Sequence, residues 1–286
     1  TLSMPEELRK ALTAPAPSAF NIEETKPPSA LIQPCEAKAI ERCTLHQGST
    51  FHITLVGDSN AEMLIPAFVS LAKEHDFTLS ATTRSGCPWQ PGLLWKASDQ
   101  QLITRCVKSR DEWYETVFPR LQPDLFLVTN VPRDPGSRPD AFFEPRTGNL
   151  NGKTLSEVIA ASTTEALDAL TATGARVAIL EPLPIGDFDP TQCLSGAELV
   201  ADCSFTANKA PFPTESIYRD EASARESVVS IDYDTFACPF LPTCVPYVNG
   251  ELVYRDEFHL SNKWIVNHRK SLWSLIQRSG VLTGLE

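Results

Sequence analysis

No run of apolar residues in this sequence approaches the ~20 positions that a membrane-spanning helix requires, and its first residues lack the charged, apolar and small-residue succession of a secretory leader. Basic side chains are in deficit: 25 Lys and Arg stand against 36 Asp and Glu, a formal net charge of -11 with a pI near 5.0. That balance argues against an electrostatic grip on nucleic acid or on anionic lipid. The C-x-x-C spacing of zinc and redox sites is missing as well. Neither an internal repeat nor a low-complexity tract is present beyond a proline-rich N-terminal stretch.

What the chain does have is eight cysteines that fall as neighbours: Cys35 with Cys43, Cys87 with Cys106, Cys193 with Cys203, and Cys238 with Cys244. Local disulfides in an exported domain account for this arrangement better than reduced cytosolic thiols, although spacing alone leaves the connectivity open. An exported domain without a leader of its own is expected to lie inside a longer parent chain or to have lost its leader. Its 286 residues, 42% hydrophobic, suffice for one sizeable α/β domain.

Residues 1–50 read as a linker or strap, interrupted by Pro5, Pro15, Pro17, Pro27, Pro28 and Pro34, with room for a short helix at Glu6–Leu12. The domain proper is expected over 51–286. Short apolar runs predict strands beginning near Phe51 and at Phe77–Thr82, Asp124–Thr129, Ala175–Leu180 and Ser227–Asp232. Helical periods predict helices over Ala61–His75, Asp111–Leu121, Lys153–Thr173 and Glu215–Glu226, and a final helix capped by Ser261. Phe236–Tyr254 reads as a disulfide-bridged excursion with Asn249-Gly250 as a hairpin turn. Strand and helix alternate throughout, which predicts an α/β fold: a doubly wound, mainly parallel sheet with helices on both faces.

The most informative stretch is Ile53–Ala61, ITLVGDSNA, where a buried strand is cut off by Gly57, Asp58 and Ser59 and a helix starts at once. Ligands of open α/β sheets bind at the carboxyl ends of strands, so Ser59 is placed for chemistry. A serine hydroxyl needs a base, and near the other end of the chain stands Asp256-Glu257-Phe258-His259. Asp256 is near enough to hold Nδ1 of His259 and leave Nε2 for the serine. His46, His52, His75 and His268 have no comparable neighbour in sequence. Asp58 reads as a helix-start residue, since a carboxylate there favours the helix N-terminus.

These two blocks resemble the SGNH, or GDSL-type, hydrolase superfamily. The run VGDSNAEMLIPAF, SGCP at Ser85–Pro88 and DEFHLS at Asp256–Ser261 resemble more closely the extracytoplasmic SGNH domains fused to membrane acyltransferase-three proteins. The resemblance implies a flavodoxin-like three-layer sandwich, with Ser59 as nucleophile, His259 as base and Asp256 as acid. It implies an oxyanion hole from Ser59, Gly86 and Asn130. In place of the superfamily's G-x-N-D block stands TNVPRD, and Asn60 occupies a position where the fused domains carry histidine.

The implied activity is O-acyl transfer, typically of acetyl, to a cell-envelope polysaccharide or glycolipid. The acyl donor would be delivered by a membrane acyltransferase domain, at an extracytoplasmic site tethered to the membrane through the parent chain. Arg133 and Arg138 are candidates to meet an anionic acceptor. No cofactor or metal is called for. A carbohydrate O-acetyl esterase and a non-catalytic glycan-binding module are the alternatives.

Overall fold

Five apolar runs form the parallel part of a central sheet: β2 (His52–Gly57), β3 (Thr78–Thr83), β4 (Leu125–Thr129), β5 (Arg176–Leu180) and β6 (Val228–Ile231). The computed structural model describes residues 4–95, 100–131, 143–207 and 211–285. A short strand, β1 (Thr44–His46), pairs antiparallel with β3 and completes the order β1-β3-β2-β4-β5-β6. Leaving the antiparallel edge aside, the chain enters at β2, steps out to β3, then returns past β2 to add β4, β5 and β6. That is the flavodoxin-like winding, and its reversal falls between β2 and β4, where such sheets bind ligands.

Successive strand residues point to opposite faces, and the two faces carry separate cores. Leu55, Leu79, Leu125, Leu127 and Ala178 pack on one side against Leu64, Phe68 and Leu71 of α1 (Ser59–His75). On the other, Val56, Phe126, Val128 and Ile179 pack against Val117, Phe118, Ala166, Leu167 and Leu170. The runs read as continuously apolar because both of their faces are buried. The doubly wound sheet with helices on both faces, expected from the alternation of elements, is therefore the fold, and it is a three-layer α/β sandwich.

Further helices include α2 (Gln100–Glu112), α3 (Leu155–Thr171), α4 (Pro213–Ser223), α5 (Asn262–Asn267) and α6 (Arg269–Arg278). α2 begins eleven residues before the Asp111 expected from sequence and runs on through a π turn, Trp113–Val117, to Leu121. Its first part buries only Cys106, Ser109 and Arg110, too little apolar surface for a legible period. The buried Arg110 donates to the carbonyls of Pro88, Leu93 and Pro91 and so ties down the loop beyond β3. Ser261 caps α5 by accepting from the amide of Trp264, and His268 breaks the expected last helix in two.

Within the first fifty residues, Glu6–Leu12 is a helix that buries Leu8 and Ala11. Ala14 and Ala16 then exchange backbone hydrogen bonds with Val200 and Glu198. All four neighbouring cysteine pairs are bridged: Cys35–Cys43, Cys87–Cys106, Cys193–Cys203 and Cys238–Cys244. Asn249 and Gly250, both at positive φ, turn the hairpin between Tyr247–Val248 and Glu251–Leu252.

Candidate active site

β2 delivers the chain into a turn that only glycine can make. Gly57 sits at φ +148°, and a Cβ there would lie 1.8 Å from the carbonyl oxygen of Thr129 on β4. Asp58 then caps α1, its carboxylate accepting from the amide of Asn60 at 2.9 Å. Ser59 opens the helix, so its own amide is one of those left without a partner in the first turn.

The second half of the site lies on a loop closed by an antiparallel bridge between Tyr254 and Leu260 and by the amide of Arg255 donating to the carbonyl of His259. Inside this loop Asp256 accepts from the amides of Phe258 and His259 at 2.9 and 3.0 Å. Its two carboxylate oxygens stand 2.7 and 2.9 Å from Nδ1 of His259. Nε2 of the same ring stands 2.7 Å from Oγ of Ser59. With Nδ1–H donated to the carboxylate, Nε2 is left as the acceptor for the serine proton. Burial acts to raise the Asp256 carboxyl, but the His259 hydrogen bond and charge, the Phe258 amide and Arg255 together hold it below the ordinary carboxylate value. Asp256 is thus an anion at neutral pH.

Two contacts lock the halves together. The Asn60 side-chain amide donates to the carbonyl of Phe258 at 3.4 Å, and the amide of Leu260 meets the sulfur of Met63 at 3.3 Å. Asn60, the residue after Ser59 and one expected to touch either substrate or a neighbouring loop, thus braces the Asp256–His259 loop.

Gly86 and Asn130 belong to the loops after β3 and β4, the two strands that flank β2. Gly57 is in register with Thr83 on one side and with Thr129 on the other, so the three loops leave the sheet at one level. Gly86 adopts φ +70° within a turn closed by the amide of Cys87 on the carbonyl of Arg84. Asn130 is buried, and its Oδ1 faces the hydroxyl of Tyr218 at 3.5 Å. Gln90 donates to that hydroxyl at 3.0 Å, and the hydroxyl in turn donates to Asn130. Neither Tyr218 nor Gln90 carried a sequence signal.

Arg133 and Arg138 lie outside the described residues. Arg255 stands 3.7 Å from Asp256, with burial lowering its pKa and Asp256 and Glu62 opposing that shift. His52 and His268 find partners in Ser80 and in the Trp264 carbonyl, away from the serine. Among the described residues no group of three or more His, Cys, Asp or Glu is arranged to hold a metal ion, and no helix is long and apolar enough to cross a membrane.

The family model described as "SGNH domain (fused to AT3 domains)" matches residues 29–265. Among solved structures, the chain is similar to the periplasmic domain of a lipopolysaccharide acetyltransferase from Salmonella ser. Paratyphi A, with a TM-score of 0.58 and 14% identity over 84% of this chain and 88% of that one. It also matches a mutant acetyl-xylooligosaccharide esterase from Geobacillus Stearmophilus, with a TM-score of 0.47 and 14% identity over 81% of this chain and 94% of that one. A search of curated proteins finds no match.

Proposed function

The chain belongs to the SGNH domains that occur fused to AT3 domains and is an SGNH-type acyltransferase or esterase, and from that premise we propose that Ser59, His259 and Asp256 transfer an acyl group, typically acetyl, to a hydroxyl of a cell-envelope polysaccharide or glycolipid. The observation that carries this reading is the continuous contact from Asp256 through His259 to Ser59 Oγ, at 2.7 Å on both sides of the imidazole.

In the first half-reaction Nε2 of His259 takes the proton of Ser59 as Oγ attacks the carbonyl carbon of an acyl ester or thioester. The charge that develops on the carbonyl oxygen is met by the amides of Ser59 and Gly86 and by Asn130. Asp256 holds the ring in the required tautomer and stabilises the imidazolium. Collapse expels the donor's alcohol or thiol, which leaves with the proton from His259, and an acyl-serine remains. In the second half-reaction His259 deprotonates the acceptor hydroxyl, that oxygen attacks the acyl carbon, and the proton returns to Ser59.

The acyl donor reaches the site from a membrane acyltransferase domain of the parent chain, to which this extracytoplasmic domain is tethered. Four disulfides support an oxidising compartment, and the family's description supports the membrane partner.

The test is to incubate the purified chain with an activated acetyl ester, with and without cell-envelope glycan, and to follow acyl release and glycan mass. A Ser59-dependent release that moves onto glycan hydroxyls is expected, with Ser59→Ala slower by at least about 10³-fold. Release to water alone in the presence of glycan would make the protein an esterase. Equal background rates for both proteins would make it a binding module.

A further inference from the structure

The carboxylate of Asp58 is fully buried, and it does more than cap a helix. Its Oδ1 accepts from the amide of Asn60 at 2.9 Å, while Oδ1 and Oδ2 accept from the amide of Val131 at 3.2 and 3.0 Å. Asp58 immediately precedes Ser59 and Val131 immediately follows Asn130. We propose that Asp58 is a positioning residue for acyl transfer, clamping the strand-end loop that carries Asn130 to the turn that carries Ser59. The proposal takes Ser59 as the nucleophile and Asn130 as part of the oxyanion hole, as set out above.

A helix cap alone would not require this residue. Serine, threonine or asparagine caps as well, and a cap is ordinarily solvated. Here the group faces two amide donors on different segments, and a carboxylate is acceptor-only, so both of its oxygens can serve them. An asparagine that kept its oxygen on Asn60 would turn an N–H₂ toward the N–H of Val131, donor against donor. The burial is costly: it pushes the Asp58 carboxyl up to about 6, against the opposing pull of the Asn60 and Val131 amides and of His259. Paying that cost inside the site fits a carboxylate that holds two loops in register.

The clamp also falls at the right place in the sheet. Gly57 and Thr129 are paired residues of adjacent parallel strands, and beyond them the ladder ends. Val131 lies two residues past that last pair and its amide is captured across the gap, and β2 and β4 flank the reversal in strand order. Without the capture, Asn130 would follow its own loop, and the hole would lose the fixed geometry from which its effect comes.

The experiment uses the whole chain with two substitutions. Asp58→Ser retains a side chain able to cap Asn60 but too short to reach Val131; Asp58→Asn keeps the size and removes one acceptor. Folded fractions are checked by circular dichroism and active sites are counted with a fluorophosphonate, whose tetrahedral oxygen occupies the oxyanion position. Expected for both variants is a fall in kcat of about 10- to 100-fold per titrated site with KM within about threefold, and a matching fall in the phosphonylation rate.

Variants that react as fast per site as the unsubstituted chain overturn the clamp while leaving Ser59 as nucleophile. A fluorophosphonate that does not label Ser59 in the unsubstituted chain overturns the catalytic reading, and the clamp with it. A second measurement is independent of how the variants fold. In the unsubstituted chain the Val131 amide is expected to exchange with deuterium at least about 100-fold more slowly than an unbonded amide, and exchange at the unbonded rate overturns the proposal.

Discussion

Glu62, one turn into the helix that presents Ser59, accepts a hydrogen bond at 2.6 Å from the hydroxyl of Ser85, the residue before Gly86. Asn60 and Met63 of the same turn reach the loop that carries Asp256 and His259. The first turn of α1 therefore locates both His259 and the loop of a candidate oxyanion donor relative to Ser59. On the proposed mechanism the chemistry depends on this turn as much as on Ser59, His259 and Asp256.

Removing the Glu62–Ser85 contact tests this arrangement. Ser85 is exposed, so Ser85→Ala and Glu62→Ala should each cost about 1 kcal/mol or less in stability. Each is expected to lower kcat about 3- to 10-fold, by loosening the loop at Gly86. The double substitution should be no worse than the larger single effect, because both remove one interaction. Steady-state kinetics with thermal melts check this, and additive losses would show that the two residues act separately.

Asp256→Asn keeps an oxygen for the amides of Phe258 and His259 but withdraws the charge beside the imidazole and permits the wrong tautomer. The fold should survive, and kcat should fall by about 10²- to 10⁴-fold. Kinetics on the purified variant decide the point, and a loss of less than threefold would remove Asp256 from the mechanism.

Gly57→Ala places a methyl against the Thr129 carbonyl at 1.8 Å and forces a positive φ on an L-residue. Strand and turn must move apart to relieve both. The expected result is destabilisation of at least about 2 kcal/mol in chemical denaturation, with loss of ester turnover in whatever folds.

Stability should fall as the pH rises from the acid side of neutrality. Burial pushes Glu215 up to about 8, with Asp234 and Glu181 adding to the shift and the Phe212 amide and Arg219 opposing it. Asp234 is raised to about 7 by burial and by the charges of Asp232 and Glu181. A folded pKa above the unfolded one means that the native state keeps a proton the unfolded chain has released. The stabilisation is full below about 4.5 and is lost as the pH climbs through about 8. Glu215→Gln should flatten this dependence, which for one such group approaches about 1.4 kcal/mol per pH unit. Denaturation curves between pH 5 and 8.5 measure it, and parallel slopes for the two proteins would place the proton elsewhere.

Much of the fold is written in local patterns. The strand, turn and helix at Ile53–Ala61, the cap at Ser261, the turn at Asn249-Gly250 and the short helix at Glu6–Leu12 follow from rules that span a few residues. The first turns of helix α2 leave no helical period in the sequence because they bury almost nothing apolar. Thr44–His46 carries no strand signal of its own, because three half-buried residues become an edge strand only when β3 is beside them.

The amino-acid order by itself determined that two faces of buried strands would alternate with helices, that Ser59 would stand at a strand end, and that Asp256 would lie within reach of His259. Periodicity, glycine geometry and short spacings act along the chain and need no partner. Only the tertiary structure decided that His259 comes within 2.7 Å of Ser59, that Asp58 captures Val131 and that Tyr218 faces Asn130. Those contacts join residues 200, 73 and 88 positions apart. Such distant pairs meet only through strand order and the packing of both sheet faces, which no local spacing records.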